Sequence, residues 1–138
     1  MADETYSGSC LCGALRYEVR GEPGNFMLCH CSRCRKATGS GNASNLFVTS
    51  KGVQWDGDES LYRSFNLPEA KRFGRSFCTR CGGPLPTYIP QANVAMIPAG
   101  TLDHDIEAEP TARIFCDSRV SWSKNEGTPE FDQYPTKS

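Results

Sequence analysis

The sequence predicts a mainly β protein built from many short antiparallel strands and stapled by bound metal. Three observations carry this. Segments with period-2 alternation, clearest in "ALRYEVRG" where Leu15, Tyr17 and Val19 share one face and Arg16, Glu18 and Arg20 the other, recur along the chain. Thirteen glycines and nine prolines break the chain into short elements, and no helical period lasts beyond two turns. Seven of eight cysteines fall into close groups: Cys10 and Cys12 as C-x-C, Cys29, Cys31 and Cys34 as C-x-C-x-x-C, and Cys78 and Cys81 as C-x-x-C.

Taken in order, "GEPGN" (21–25) reads as a turn after the first strand, and "FMLC" as a short strand entering the thiol cluster. "CSRCRKATG" allows one helical turn before Gly39 and Gly41 stop it. Strands are expected over 45–50, 60–66, 72–78, 94–100 and 112–117. Beyond Trp122 the chain carries turn formers and ends polar. With 138 residues, no repeat and no convincing linker, residues 1–138 are expected to form a single zinc-binding domain.

The formal charge of −1 leaves no polybasic field for nucleic acid. No apolar run reaches the length of a membrane-spanning helix, and "MADETYSGSC" lacks the basic and apolar parts of a secretion signal. The expected location is cytoplasmic. Thiols in that reducing compartment bind metal more readily than they form disulfides, and closely spaced pairs on tight turns converge on an ion.

The first site drawn by these spacings is Cys10, Cys12, Cys78 and Cys81, four thiolates that close a tetrahedron around zinc. Glycines 13, 82 and 83 let the adjoining backbone turn its amides toward sulfur. Such a site closes a long loop and is structural. The remaining trio, Cys29, Cys31 and Cys34, holds metal from one side. A fourth ligand from the chain would be His30, His104, Cys116 or Asp117, and the spacing singles out none; an extended backbone turns His30 away from the face shared by Cys29 and Cys31. Three protein ligands with an open place is the pattern of catalytic zinc. A sulfur-rich shell favours a soft incoming thiol, so the catalytic residues expected are Cys29, Cys31 and Cys34. Arg33, Arg35 and Lys36 stand beside them, and Arg33 and Lys36 are the expected contacts to carboxylates of a small thiol such as glutathione.

With both groups in place, the chain resembles the glutathione-dependent formaldehyde-activating enzyme family, which also includes centromere protein V. The resemblance runs through "GSCLCGALRYEV", "CHCSRCRKATGSG", "RSFCTRCGGPL" and "RIFCDSRVSW". It implies a β-tent fold of small antiparallel sheets and two zinc ions, one structural on Cys10, Cys12, Cys78 and Cys81, one on Cys29, Cys31 and Cys34. It also implies carbon–sulfur lyase activity that forms or cleaves S-hydroxymethylglutathione. The chain departs from the family pattern in having Arg113 where a histidine is common, Cys116 where valine is usual, and Ser123 where an aromatic often follows the tryptophan, here Trp122. The alternative to an enzyme is a zinc-stabilised binding or carrier module for small thiols or a protein partner.

Overall fold

The computed structural model describes residues 3–124 and 126–135. The first two residues and the polar end at 136–138 lie outside the described residues. Strands dominate, and β2, Leu15–Cys29, organises the rest. Its first half alternates as the side chains dictate, with Leu15, Tyr17 and Val19 buried and Arg16 and Arg20 exposed. β1 (Glu4–Ser9) pairs antiparallel along one edge of that half, and β4 (Gln54–Gly57) along the other.

The turn expected over 21–25 does not form. β2 runs on through it, because β3 (Ala43–Ser50) pairs on both sides of the stretch, from Gly21↔Ser50 to Cys29↔Ala43. One extra residue is absorbed as a bulge between Pro23 and Phe26, a place where a strand tolerates a proline that donates no hydrogen bond. Thr111 pins the bulge: its N–H donates to the Phe26 carbonyl at 2.7 Å, and the Phe26 N–H donates to its Oγ1 at 3.0 Å. β2 therefore links the two cysteine groups, leaving Cys12 at its start and ending on Cys29.

The remaining strands are β5 (Tyr62–Asn66), β6 (Gly74–Cys78), β7 (Pro84–Leu85), β8 (Thr87–Ile89), β9 (Val94–Pro98) and β10 (Ala112–Ile114). The larger sheet has the order β1-β2-β3-β9-β8, with β4 and β10 also on β2; β5-β6-β7 form a second sheet. Pairing is antiparallel except that β10 runs parallel to β2. Expected strands at 60–66, 94–100 and 112–117 are shortened by 3₁₀ turns at Glu59–Leu61, Ala99–Thr101 and Cys116–Ser118. β1, β4, β7 and β8, short or polar, were not expected from the sequence.

The core joins the two sheets. Leu15, Val19, Leu46, Val48, Leu85 and Ile97 are essentially without exposure, in one cluster with Cys10 and Cys78. Trp55 of the larger sheet sits 4.7 Å, centroid to centroid, from Tyr62 of the smaller and 6.2 Å from Tyr17. That aromatic trio bridges the two sheets. Leu46→Ala is expected to cost about 2–5 kcal/mol, read as a lower denaturation midpoint at unchanged slope.

Helix α1, Ser32–Thr38, is seven residues long, two turns where one was expected. Cys31 caps it: its backbone is extended, and its sulfur accepts from the Cys34 N–H at 3.4 Å. Gly39 ends the helix in the left-handed conformation, φ 66°. Both ends are thus set by residues inside the "CSRCRKATG" stretch.

Candidate metal centres

The first group forms where two tight knuckles meet. In one, the Gly13 N–H returns to the Cys10 carbonyl at 3.0 Å; in the other, the Gly82 N–H returns to the Cys78 carbonyl at 2.7 Å. Gly13 and Gly82 both hold φ 75°, a conformation with little steric cost only without a Cβ. The sulfurs of Cys10, Cys12, Cys78 and Cys81 all lie within 4.8 Å of one another. Cys10 and Cys12 are separated by 3.7 Å, and Cys12 and Cys78 by 4.0 Å, sulfur to sulfur. Four thiolates at 2.3 Å from zinc stand about 3.8 Å apart at tetrahedral corners, so the Cys10–Cys12 and Cys12–Cys78 separations match those of a four-thiolate zinc site. These spacings are too long for disulfides, and all eight cysteines are free thiols.

Local donors prepare the group for an ion. Burial pushes the Cys81 thiol up, but the N–H groups of Cys12 and Gly83 and the neighbouring thiols outweigh it, bringing it down to about 6. The Gly83 N–H donates to the Cys81 sulfur at 3.4 Å. Cys12 gains from the Ala14 N–H, yet burial and the thiols of Cys10, Cys81 and Cys78 carry it up to about 11.

The second group lies at the far end of β2. Cys29 ends the strand, Cys31 caps α1 and Cys34 faces inward from its first turn; their sulfurs also lie within 4.8 Å of one another. Cys29 and Cys34 are buried, packed with Ala43, Phe73 and Ile114, while Cys31 is half-buried. Burial raises the Cys34 and Cys29 thiols. At Cys31 burial acts in the same sense, but the amides of Cys34 and Arg33 and the adjoining thiols reverse it, and the net shift is downward. Cys31 is the thiol of the trio most disposed to ionise, which suits a metal-ligating set.

Among the described residues, no histidine, cysteine or carboxylate donor joins this trio within 4.8 Å of all three sulfurs. His104 is engaged at β1, accepting from the Ser7 N–H at 3.1 Å and stacked on Tyr6. Cys116 and Asp117 sit in a 3₁₀ turn beyond β10. His30 is 1% exposed, and its Nε2 meets Arg113 Nη1 at 3.2 Å.

The cations named from the sequence are placed unevenly. Arg33 and Lys36 are both exposed on α1, and at about 100° per residue Lys36 falls roughly 200° round from the inward-facing Cys34. Sequence reasoning missed Arg119, half-buried after the 3₁₀ turn, and the bond between His30 and Arg113. Nothing in the spacing of "ARIFCDSR" marks either one. Neither Arg33, Lys36, Arg113 nor Arg119 has a carboxylate within 4.0 Å among the described residues; the ion pair found there is Arg16–Asp56.

Residues 5–118 match the family described as glutathione-dependent formaldehyde-activating enzyme. The chain belongs to this family. The matched span contains both cysteine groups of this glutathione-dependent formaldehyde-activating enzyme family member. A Halomonas elongata protein named "Putative glutathione-dependent formaldehyde-activating enzyme" is 31% identical over 140 residues, covering 95% of this chain and 89% of the relative. A crystal structure of a Rhodobacter sphaeroides protein superposes with TM-score 0.57 at 18% identity, over 78% of this chain and 98% of that one. At that identity the likeness speaks for the fold alone.

Proposed function

We propose that this family member is a carbon–sulfur lyase that makes and breaks the bond between a small thiol, glutathione foremost, and formaldehyde or a related aldehyde, at Cys29, Cys31 and Cys34. The observation that carries this reading is a trio of converging thiols to which the described chain adds no fourth donor. The family supports it, as does the printed name of the Halomonas relative. In this reading two zinc ions are bound, one structural on Cys10, Cys12, Cys78 and Cys81, the other on the trio. When bound at the trio, zinc supplies a soft positive centre that prefers an incoming thiolate to a hard oxygen ligand.

The chain's own residues do the rest. The strand end and helix cap hold the three sulfurs in place before any substrate arrives, so little ordering remains for the reaction to impose. Arg33 and Lys36, exposed and without acidic partners, add positive potential that draws an anionic thiol toward the trio. In the forward direction the substrate thiolate adds its electron pair to the aldehyde carbon. The carbonyl π pair moves to oxygen, which takes a proton from water, giving the hydroxymethyl thioether. In reverse the hydroxyl loses its proton, and the carbon–sulfur pair returns to sulfur. Eight unpaired thiols suit a reducing compartment, and the cytoplasm is the location we assign.

The test is glutathione added to cobalt-substituted protein. A change in the sulfur-to-metal absorption at millimolar thiol is expected, together with faster exchange between labelled formaldehyde and its glutathione adduct in NMR spectra. An unchanged spectrum would remove thiol coordination. A changed spectrum with exchange at the spontaneous rate would make the protein a binding or carrier module instead.

A further inference from the structure

We infer that Arg113, bonded to the buried His30 ring beside the three-thiol group, and Arg119, whose Nε is buried without a partner, are the specificity anchor for a carboxylate of the substrate thiol. This rests on the proposed thiol chemistry for its reaction but not for its binding. It moves the anchor from the helix cations Arg33 and Lys36 to β10 and the segment that follows it.

Position comes first. β10 pairs Arg113 with Leu28 and Ile114 with Cys29, and the His30 N–H donates to the Ile114 carbonyl at 3.0 Å. The strand carrying Arg113 thus ends level with the first thiol of the trio. Phe115 then takes a left-handed conformation, φ 56°, that turns the chain into the 3₁₀ turn leading to Arg119. Further on, the chain folds back over Gly41, where a Cβ would stand 2.9 Å from the Ser123 Cβ and 3.4 Å from the Trp122 ring. The segment is therefore held against the loop that closes α1.

Hydrogen-bond chemistry fixes the state of the ring. A guanidinium only donates, so His30 Nε2 accepts from Arg113 and the ring is neutral, with its proton on Nδ1. His30 consequently offers no counter-charge. It is a positioning residue that orients Arg113 and leaves that arginine's remaining donors free.

The charges themselves lack compensation. Arg119 Nε is buried with no hydrogen-bond partner, and His30 Nδ1 is buried with none in bonding geometry. No carboxylate of the described residues lies within 4.0 Å of either guanidinium. Asp117, between them in sequence, is exposed and does not pair with them. Arg113 is exposed, but the buried Arg119 Nε is a desolvated donor without an acceptor, which is costly. A carboxylate answers that cost through the two-pronged bonds that arginine makes and lysine does not. Arg113 lies within the family match and Arg119 one residue beyond its end at residue 118.

The experiment compares zinc-loaded wild type, Arg113→Gln, Arg119→Gln and Arg119→Lys. S-methylglutathione, whose blocked sulfur cannot act as a thiolate, is titrated calorimetrically; glutathione and the uncharged 2-mercaptoethanol are followed by cobalt absorption. Each Gln variant is expected to weaken S-methylglutathione on the order of 10-fold or more, with zinc content, melting temperature and the 2-mercaptoethanol response unchanged. Arg119→Lys is expected to recover part of the loss. In turnover the Gln variants raise KM for glutathione and leave kcat close to wild type. Wild-type affinity for S-methylglutathione in both Gln variants, or an equal loss toward 2-mercaptoethanol, overturns the anchor. Arginine-dependent binding of S-methylglutathione without any cobalt response to glutathione supports the anchor while removing the thiol chemistry.

Discussion

Cys81→Ser is expected to abolish folding. Cys12 and Cys78, whose sulfurs stand 4.0 Å apart, are separated by 66 positions, so the four-thiol group joins the start of β2 to the end of β6 across half the chain. Structural zinc binding contributes on the order of 10 kcal/mol, as much as the whole net stability of an ordinary domain, about 5–15 kcal/mol. The core cannot absorb such a loss, because Cys10 and Cys78 are part of it. Without the ion four closely spaced thiols would be left at the junction of the two knuckles with no charge to bring them together. The measurement is soluble yield, bound zinc and amide dispersion in NMR spectra, with Cys116→Ser as the matched control. Cys116 is half-buried and belongs to neither group, and its serine variant should melt within a few degrees of wild type. A folded, cooperatively melting Cys81→Ser protein would remove the structural role assigned to this site.

The cysteine pairs and the trio were legible in the sequence because each is local: C-x-C and C-x-x-C fix their own turns, and glycine at Gly13 and Gly82 marks where the chain must take a positive φ. β2 was legible over Leu15–Arg20, where alternation records a buried face and an exposed one. It was misread over 21–25 because Gly, Pro and Asn are turn formers only when nothing pairs with them. Here β3 pairs before and after the stretch, Thr111 bonds Phe26, and a bulge takes up the surplus residue. β1 escaped notice for a related reason. "ETYSGS" buries only Tyr6 and Gly8, so its strand character comes from the six-residue register with β2 rather than from its own side chains. Arg119 was invisible as a site residue because its relation to His30 depends on the parallel pairing of β10 and on the turn at Phe115. Neither leaves a periodic trace in the sequence.

Cys31→Ser is expected to have the opposite outcome to Cys81→Ser: a folded chain that has lost its reaction. Of the three thiols in the second group, Cys29 and Cys34 are packed against Ala43, Phe73 and Ile114, and a hydroxyl at either position would be buried among apolar atoms. Cys31 is half-buried, and its structural duty is to cap α1 by accepting the Cys34 N–H. Serine is among the best residues for that duty, so the helix keeps its start and the stability change stays within about 1 kcal/mol. The soft donor is what goes. An oxygen in its place weakens the hold of a thiolate-selective group on zinc. Since changes merely adjacent to metal ligands lower affinity or activity 10- to 100-fold, loss of a ligand should cost on the order of 100-fold or more. Elemental analysis should find the second zinc depleted and the first retained, at a nearly unchanged melting temperature. Exchange between formaldehyde and its glutathione adduct should fall to the spontaneous rate, and the cobalt spectrum should lose its response to glutathione. Unfolding of this variant would contradict the separation between a stapling site and a reacting one, since the two groups would then share the work of holding β2 in place.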